Sequence, residues 1–389
     1  MFNSKSNNLF SALLFIYGAV VHNAKKIDML KKILIIVGII IAIIIIIGAI
    51  GINYFKPDAN LVLNFIKENP NKTAIKLVRN DSLIAERNPN KLMPLASTVK
   101  IILAIEYALQ SSQGKINPQE EVSIDELAKF YIPNTDGGAH PSWLKSVKNK
   151  INDNQITINE IAKGMIRYSS NANTEWLGNT LGLKNINIRI DSLGIENHTE
   201  FYNIVSALFV GKEKFPKSKG KELQSKLKNL SIEDYIETTN QIHKKLLTDS
   251  IYKKTIGDLG MNIQRIWSDN LPSSTVKDYF GIMKKINSKT YFDTDAQKYL
   301  DEVMEGLMEN PANRKWLKHA GKKGGSTAFV LTEAFYATDK KGNTTELAYF
   351  FNDLGTIENT RLQGSMNDFE LKILTDKKFR DKIKTELKN

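Results

Sequence analysis

A serine followed three residues later by a lysine, Ser97 and Lys100 in Pro94-Leu-Ala-Ser-Thr-Val-Lys100, is the pair in this chain best placed for chemistry. A hydroxyl attacks poorly until something takes its proton. A lysine amine does that only when its pKa is drawn towards neutrality, and burial among apolar residues or the positive end of a helix does so. From Ile101 to Leu109 only Glu106 is charged, so the sequence predicts a helix that is apolar nearly all round and sits inside a domain. Ser97 and Thr98 read as N-cap residues of that helix, whose first N–H groups are also suited to an oxyanion. The Ser-x-x-Lys frame alone says little. It recurs at Ser112, Ser142, Ser218, Ser225, Ser250 and Ser274. Ser274-Thr-Val-Lys277 even repeats the tetrapeptide. There, however, Val276, Phe280, Met283 and Ile286 form a stripe opposite Lys277, Lys284 and Lys285, and a lysine on such a surface helix stays hydrated and protonated. Only the copy at Ser97 opens an apolar helix.

Two other stretches carry usable groups. In Gly164-Met-Ile-Arg-Tyr-Ser-Ser-Asn-Ala-Asn-Thr-Glu-Trp-Leu-Gly178, Ser169-Ser170-Asn171 falls between two helical patterns. A hydroxyl and an amide on a tight turn there could relay a proton and hold a substrate amide. In Lys322-Lys-Gly-Gly-Ser-Thr-Ala-Phe-Val-Leu331, Lys323-Gly324-Gly325 leads into a strand. Glycine allows a substrate to approach the backbone, and the lysine supplies fixed positive charge. Each is an ordinary turn or strand entry when taken alone.

The elements that must hold these groups follow from periodicity. Asp58 to Asn69 reads as a helix. Thr73 to Asn88 reads as a hairpin turning at Arg79-Asn-Asp-Ser82. Residues 113–155 are loop-rich, and helical patterns run with interruptions from Ile156 to Ile286. Ser326–Thr338 and Glu346–Asp353 read as strands, and a charged helix from Met366 closes the chain. Strands at both ends with helices between them predict an α+β fold. One antiparallel sheet is assembled from both chain ends and flanked by helices, with an all-helical domain inserted over about 113–287 and a lysine-rich insertion over about 198–270. Residues 57–389 are assigned to this domain, which is expected to be monomeric. Ahead of it, residues 33–55 contain no charge. At about 1.5 Å per residue such a run crosses a hydrocarbon core of about 30 Å. Lys25, Lys26, Lys31 and Lys32 precede it, so residues 1–32 are expected in the cytoplasm and the domain outside, with 33–55 a retained transmembrane anchor at the cell membrane. A weaker apolar run spans Leu9 to Val21, and Met29-Leu-Lys-Lys reads as a start as readily as Met1 does.

Composition removes several alternatives. Without cysteine there are no disulfides, thiolate metal sites or cysteine nucleophile. The net charge of +12 comes largely from two places. Residues 1–56 hold six lysines against one aspartate, and residues 211–228 hold seven lysines against two glutamates. Neither has interleaved aromatics or a nucleic-acid motif, so no nucleic-acid partner is expected. His22, His140, His198, His243 and His319 have no metal-ligand spacing. They read as structural or surface residues, and neither metal nor cofactor is expected.

In combination and in this order, the three stretches resemble the penicillin-recognising serine hydrolases, specifically the class A β-lactamases, which carry Ser-x-x-Lys, Ser-Asp-Asn and Lys-Thr-Gly motifs. The resemblance implies the β-lactamase/transpeptidase-like fold, with a cleft between the sheet and the helical domain. It implies Ser97 as the acylated nucleophile, Lys100 as its base, and Ser169 as proton shuttle to the leaving nitrogen. Asn171 would hold the substrate's side-chain amide, and Lys323 would attract its carboxylate. Gly325 would give room for it, and the N–H groups of Ser97 and Ser326 would bind the oxyanion. Ser268-Asp269-Asn270 spells the second motif literally, but it precedes the Ser274 helix and is set aside. There are departures. Ser170 replaces an aspartate, and Gly324 replaces a hydroxyl residue whose part Ser326 or Thr327 would take. No Glu-x-x-Leu-Asn string follows Asn171; Glu196, Glu200, Glu233 and Glu237 lie in the interval without it. Ser169 and Lys323 are also 154 positions apart, farther than the family layout implies. The expected activity is opening of a β-lactam through an acyl-enzyme. The alternatives are a D,D-peptidase-like or other serine acyl hydrolase acting on peptidoglycan peptides, and a non-catalytic sensor or wall-binding module.

Overall fold

Strands from the two ends of the domain pair into one sheet in the computed structural model. The structure describes residues 53–388 apart from 250 and 258, together with 34–46 and positions 17, 26, 29, 31, 32, 48 and 51. The strands are β1 (Thr73–Arg79), β2 (Ser82–Arg87), β3 (Met93–Pro94), β4 (Glu121–Ser123), β5 (Gln155–Thr157), β6 (Ser273–Ser274), β7 (Leu317–Ser326), β8 (Leu331–Asp339) and β9 (Thr344–Phe351). The main sheet has the order β2-β1-β9-β8-β7, and every neighbouring pair is antiparallel. The β1–β2 hairpin turns at Asn80 and Asp81, with φ of 49° and 59°, a conformation these two residue types tolerate.

Period-two alternation sends successive side chains to opposite faces of the sheet. On one face, Leu347, Tyr349 and Phe351 of β9 pack with α1 (Ala59–Glu68), α11 (Thr356–Thr375) and α12 (Lys377–Glu386) through Ile66, Phe369 and Ile383. On the other, Ala348 and Phe350 meet Tyr279 and Met283 of α9 (Val276–Ser288). That second core continues into α2 (Lys100–Ser112), the helix at the centre of the fold. Its residues Lys100 through Ala108 are all buried. It packs against α4 (Ile158–Arg167), α5 (Asn171–Leu181) and α10 (Thr294–Met304). Glu106, its one acidic residue, is held by Arg189 Nε at 2.7 Å and Gln110 Nε2 at 2.8 Å. Pairing of this kind is what lets a charge stay buried.

The lysine-rich stretch folds against its own small core. Leu223 and Leu227 of α6 (Gly220–Lys228) pack with Ile242 and Leu246 of α7 (Ile232–Thr248) and with Ile263 of α8 (Met261–Asp269). Lys217, Lys219, Lys221 and Lys228 stay exposed. The short helix α3 (Ala139–Ser146) contacts α5.

Four expectations need correction. The inserted region is not all-helical, because β4 pairs with β5 and β6 pairs back to β3 in two short two-stranded sheets. The Lys323-Gly-Gly run lies inside a strand of its own, β7, rather than at the entry of the following one, and a turn at 327–330 separates β7 from β8. Ser97 and Thr98 do not cap α2, because a 3-10 turn over Ala96–Val99 intervenes and the helix begins at Lys100 without a side-chain cap. The single closing helix expected from Met366 is instead two, α11 starting ten residues earlier at Thr356 and α12 following Asp376. Residues 58–389 form one unit and residues 1–57 another. In the latter, 34–46 are helical with exposed leucine and isoleucine side chains. No helix among the described residues is long and apolar enough to cross a membrane. The span expected at 33–55 falls partly on 33, 47, 49, 50 and 52, which lie outside the described residues, as does the Leu9–Val21 run apart from position 17.

Candidate active site

The turn carrying Ser97 is bent by Ala96, whose φ of 46° lies in the left-handed region. Strain at such a position is kept only where the surroundings enforce it. Here Thr332 on β8 donates to Leu95 O at 2.7 Å and pairs with Thr98 Oγ1 at 2.8 Å. Thr98 also reaches Lys323 O at 3.2 Å. This pinning explains why Thr98 does not cap the helix. Ser97 is left half-buried, and among the described residues its hydroxyl has no hydrogen-bond partner. It lines a cleft of about 580 Å³ together with Ser169, Asn171, Ser326 and Thr327.

Gly325 makes this approach possible. A Cβ there would lie 2.5 Å from Leu95 O and 2.6 Å from Ser97 N. Its absence lets β7 press against the nucleophile turn and brings the Ser97 and Ser326 backbones to one cleft.

Lys100 is completely buried. Its Nζ donates to Ser169 O at 2.7 Å, Asn171 Oδ1 at 2.8 Å and Ser169 Oγ at 3.3 Å. Burial, with the charge of Lys323 adding to it, holds its pKa well below that of an ordinary lysine, and Asp136 acts in the opposite sense. Lys323 comes from β7 on the other side of the same hydroxyl, with Nζ 3.0 Å from Ser169 Oγ and 2.5 Å from Gly324 O. Burial lowers its pKa too. Ser169 therefore sits between two amines, at a φ of 64° that turns it out of the junction between α4 and α5. The buried Ser170 next to it caps α5 by accepting from Asn173 N at 3.2 Å, and its hydroxyl also meets His140 Nδ1 at 2.9 Å.

The structure thus brings Ser97, Lys100, Ser169, Asn171, Lys323, Gly325, Ser326 and Thr327 to one place. Thr327 is present with its hydroxyl committed. It accepts from Phe329 N and Val330 N, each at 3.1 Å, and pairs with Ser268 Oγ at 2.7 Å. Of the two neighbours, Ser326, exposed at the end of β7, keeps its hydroxyl free of such a turn. The literal Ser-Asp-Asn copy is accounted for by the same contact, since Ser268 is a buried residue of α8. At the second Ser-Thr-Val-Lys, Lys277 is exposed and paired with Glu196 at 2.8 Å.

None of the glutamates at 196, 200, 233 and 237 lines the cleft, and all four are exposed. Glu175, buried on α5, is spent on the N–H groups of Val205 and Ser206 at 3.0 and 3.1 Å. Among the described residues the one carboxylate lining the cleft around Ser97 is Asp136. It accepts from Gly138 N at 3.2 Å and His140 N at 2.9 Å. Sequence reasoning passed over Asp136 because it stands in a loop with no periodic signal. It also passed over Thr332, which is placed only by the pairing of β7 with β8.

Residues 60–306 match the model of the beta-lactamase enzyme family, a span that holds the first two motifs and ends before β7. No curated protein matches the chain. Among solved structures, a β-lactamase from Sphaerobacter thermophilus is 16% identical with a TM-score of 0.51, covering 81% of this chain and 96% of its own. A β-lactamase from Chitinophaga pinensis is 14% identical with a TM-score of 0.50, covering 80% and 98%. At these identities the two structures speak for the fold alone, a β-lactamase/transpeptidase-like sheet with its helices. The family match extends over more than half of the chain, which therefore belongs to the beta-lactamase enzyme family and is a β-lactamase-like serine hydrolase.

Proposed function

We propose that the chain forms an acyl-enzyme at Ser97 with β-lactams and acts as a class A-type hydrolase held on the outer side of the cell membrane. The observation that carries this reading is the buried Lys100, with its depressed pKa, hydrogen-bonded to the Ser169 loop. In its neutral form Lys100 takes the proton of Ser97 as Oγ attacks the carbonyl carbon. The N–H groups of Ser97 and Ser326 are suited to the oxyanion, worth about 3 kcal/mol per donor. When the C–N bond breaks, the nitrogen takes up a proton through Ser169, which Lys100 and Lys323 both touch. Asn171 would hold the substrate amide. The charge-free run at 33–55 and the lysines ahead of it support the anchor.

A specific observation favours a second reading, a D,D-peptidase-like acyl hydrolase acting on peptidoglycan peptides with slow β-lactam turnover. Hydrolysis of the acyl-enzyme needs a base for water. Asp136, the one carboxylate lining the Ser97 cleft among the described residues, is already turned to two backbone N–H groups. Following the penicilloyl adduct over time by intact-protein mass spectrometry separates the two. A transient adduct with turnover of a chromogenic cephalosporin supports the hydrolase, and a persistent adduct supports the peptidase-like enzyme. No adduct in the wild type would end both.

A further inference from the structure

Gly324 and Glu333 stand opposite one another in the β7–β8 pair. Because Gly325 faces Ser97, alternation turns Gly324 to the other side of the sheet. Glu333 lies there too, with Oε2 3.0 Å from where a Cβ on Gly324 would be. β7 is the outermost strand, so nothing in the sheet closes off its outer side. A cavity of about 790 Å³ passes round this edge, lined by Ser169, Lys323 and Gly325 on the near side and by Lys322, Gly324 and Glu333 on the far side.

The carboxylate in that cavity is under-satisfied. Glu333 is only 5% exposed, and its Oε1 has no hydrogen-bond partner among the described residues. Its nearest cation, Lys322, is 3.7 Å from Oε2, beyond a hydrogen bond. Lys322 is itself committed to Glu370 and Asn367, both at 2.8 Å. Lys323 points away, to Ser169 on the near face. Neither ammonium therefore serves Oε1, and a buried acceptor without a donor is costly. A glycine at 324 leaves the approach to Glu333 open from the strand edge, where a bulkier residue would press on its carboxylate.

We propose that the edge of β7 at Gly324 is a recognition subsite for an ammonium group on the acyl donor, with Glu333 as its counter-ion. The proposal rests on the reading of Ser97 as the acylated residue. An ammonium at the strand edge brings positive charge and donors to the Glu333 carboxylate, whose Oε2 lies nearest the opening at Gly324. A carboxylate in the same place meets the like charge of Glu333, and the nearby Lys322 is already committed to Glu370 and Asn367. The substrate class this implies is an amide or β-lactam that carries an amine on an arm long enough to pass from the acylated carbonyl round the edge of β7.

The test compares two probes on the full chain, benzylpenicillin and its 2-aminoethyl amide, which exchanges the ring carboxylate for an ammonium. The acylation rate with each is read by intact mass. The quantity of interest is the ratio of the ammonium rate to the carboxylate rate. Glu333→Gln, which keeps shape and removes charge, should lower that ratio about tenfold or more, the size of a lost charge-assisted hydrogen bond. Gly324→Ala, which keeps the charge and crowds the approach, should lower it as well. A purely structural loss slows both probes alike and leaves the ratio alone. An unchanged ratio in both variants, with Ser97 adducts still forming, overturns the subsite and spares the reading of Ser97. No adduct from either probe overturns both.

Discussion

Adding one methyl group at Gly325 tests the packing of the site against a calculable strain. An ideal Cβ there would lie 2.5 Å from Leu95 O, 2.6 Å from Ser97 N and 2.6 Å from Thr332 Oγ1. Ordinary contact begins near about 3.5 Å, so each approach is too close by about an ångström. Two of the three atoms are main chain and cannot rotate away. Gly325→Ala must therefore push β7 and the nucleophile turn apart by roughly 1 Å, a misplacement that costs about 100-fold in rate. Crowding of this kind destabilises by about 1–3 kcal/mol, which leaves a folded protein. Gly364→Ala is the matched control. It sits exposed within α11 with nothing within 4 Å of its Cβ position, and alanine there should stabilise by about 0.5–1 kcal/mol without touching acylation. Rates of penicilloyl adduct formation, read by intact mass alongside thermal melts, separate the two variants. A Gly325→Ala protein that acylates at the wild-type rate would refute the close-approach argument.

Other expectations follow from the charges. Lys100 must be neutral to take a proton, so acylation rises with pH through its pKa. Lys323 helps to hold that pKa down and Asp136 holds it up. Lys323→Ala should therefore move the midpoint of the pH–rate profile to higher pH, and Asp136→Asn should move it lower; shifts in the same direction would contradict the assignment. Ser169→Ala removes the hydroxyl between the two amines, and single-turnover kinetics should show acylation slowed about 100-fold or more with Ser97 still the labelled residue. In cells, the full chain should stay with the membrane fraction through an alkaline carbonate wash; its release would remove the anchor.

What was legible in the chain depended on local pattern. The central helix could be read from Ile101 to Leu109 because burial on every side demands an unbroken apolar run, and Lys100 is all the more conspicuous at its start. The β1–β2 hairpin was readable because Asn80 and Asp81 suit the turn. β7 was missed because Leu-Lys-His-Ala-Gly-Lys-Lys-Gly-Gly-Ser has little strand propensity. It is a strand because β8 pairs with it and the nucleophile turn packs on Gly325. Thr327 read as a free hydroxyl because nothing in its neighbourhood signals the turn that consumes it. Glu333 and Thr332 carry no motif at all. Their places come from a pairing register, which sets Glu333 opposite Gly324 and Thr332 opposite Gly325 and which no short-range pattern encodes.

The most direct test of Ser97 and Lys100 as nucleophile and base is peptide mapping after exposure to benzylpenicillin. Trypsin releases the Ser97 peptide as residues 92–100, ending at Lys100, or as residues 92–115 in Lys100→Met, which lacks that cleavage site. The account predicts that this peptide gains one penicilloyl group in the wild type, that Ser97→Ala abolishes it, and that Lys100→Met nearly does so while the fold persists. A penicilloyl group on any other peptide, or undiminished labelling in Lys100→Met, would contradict it.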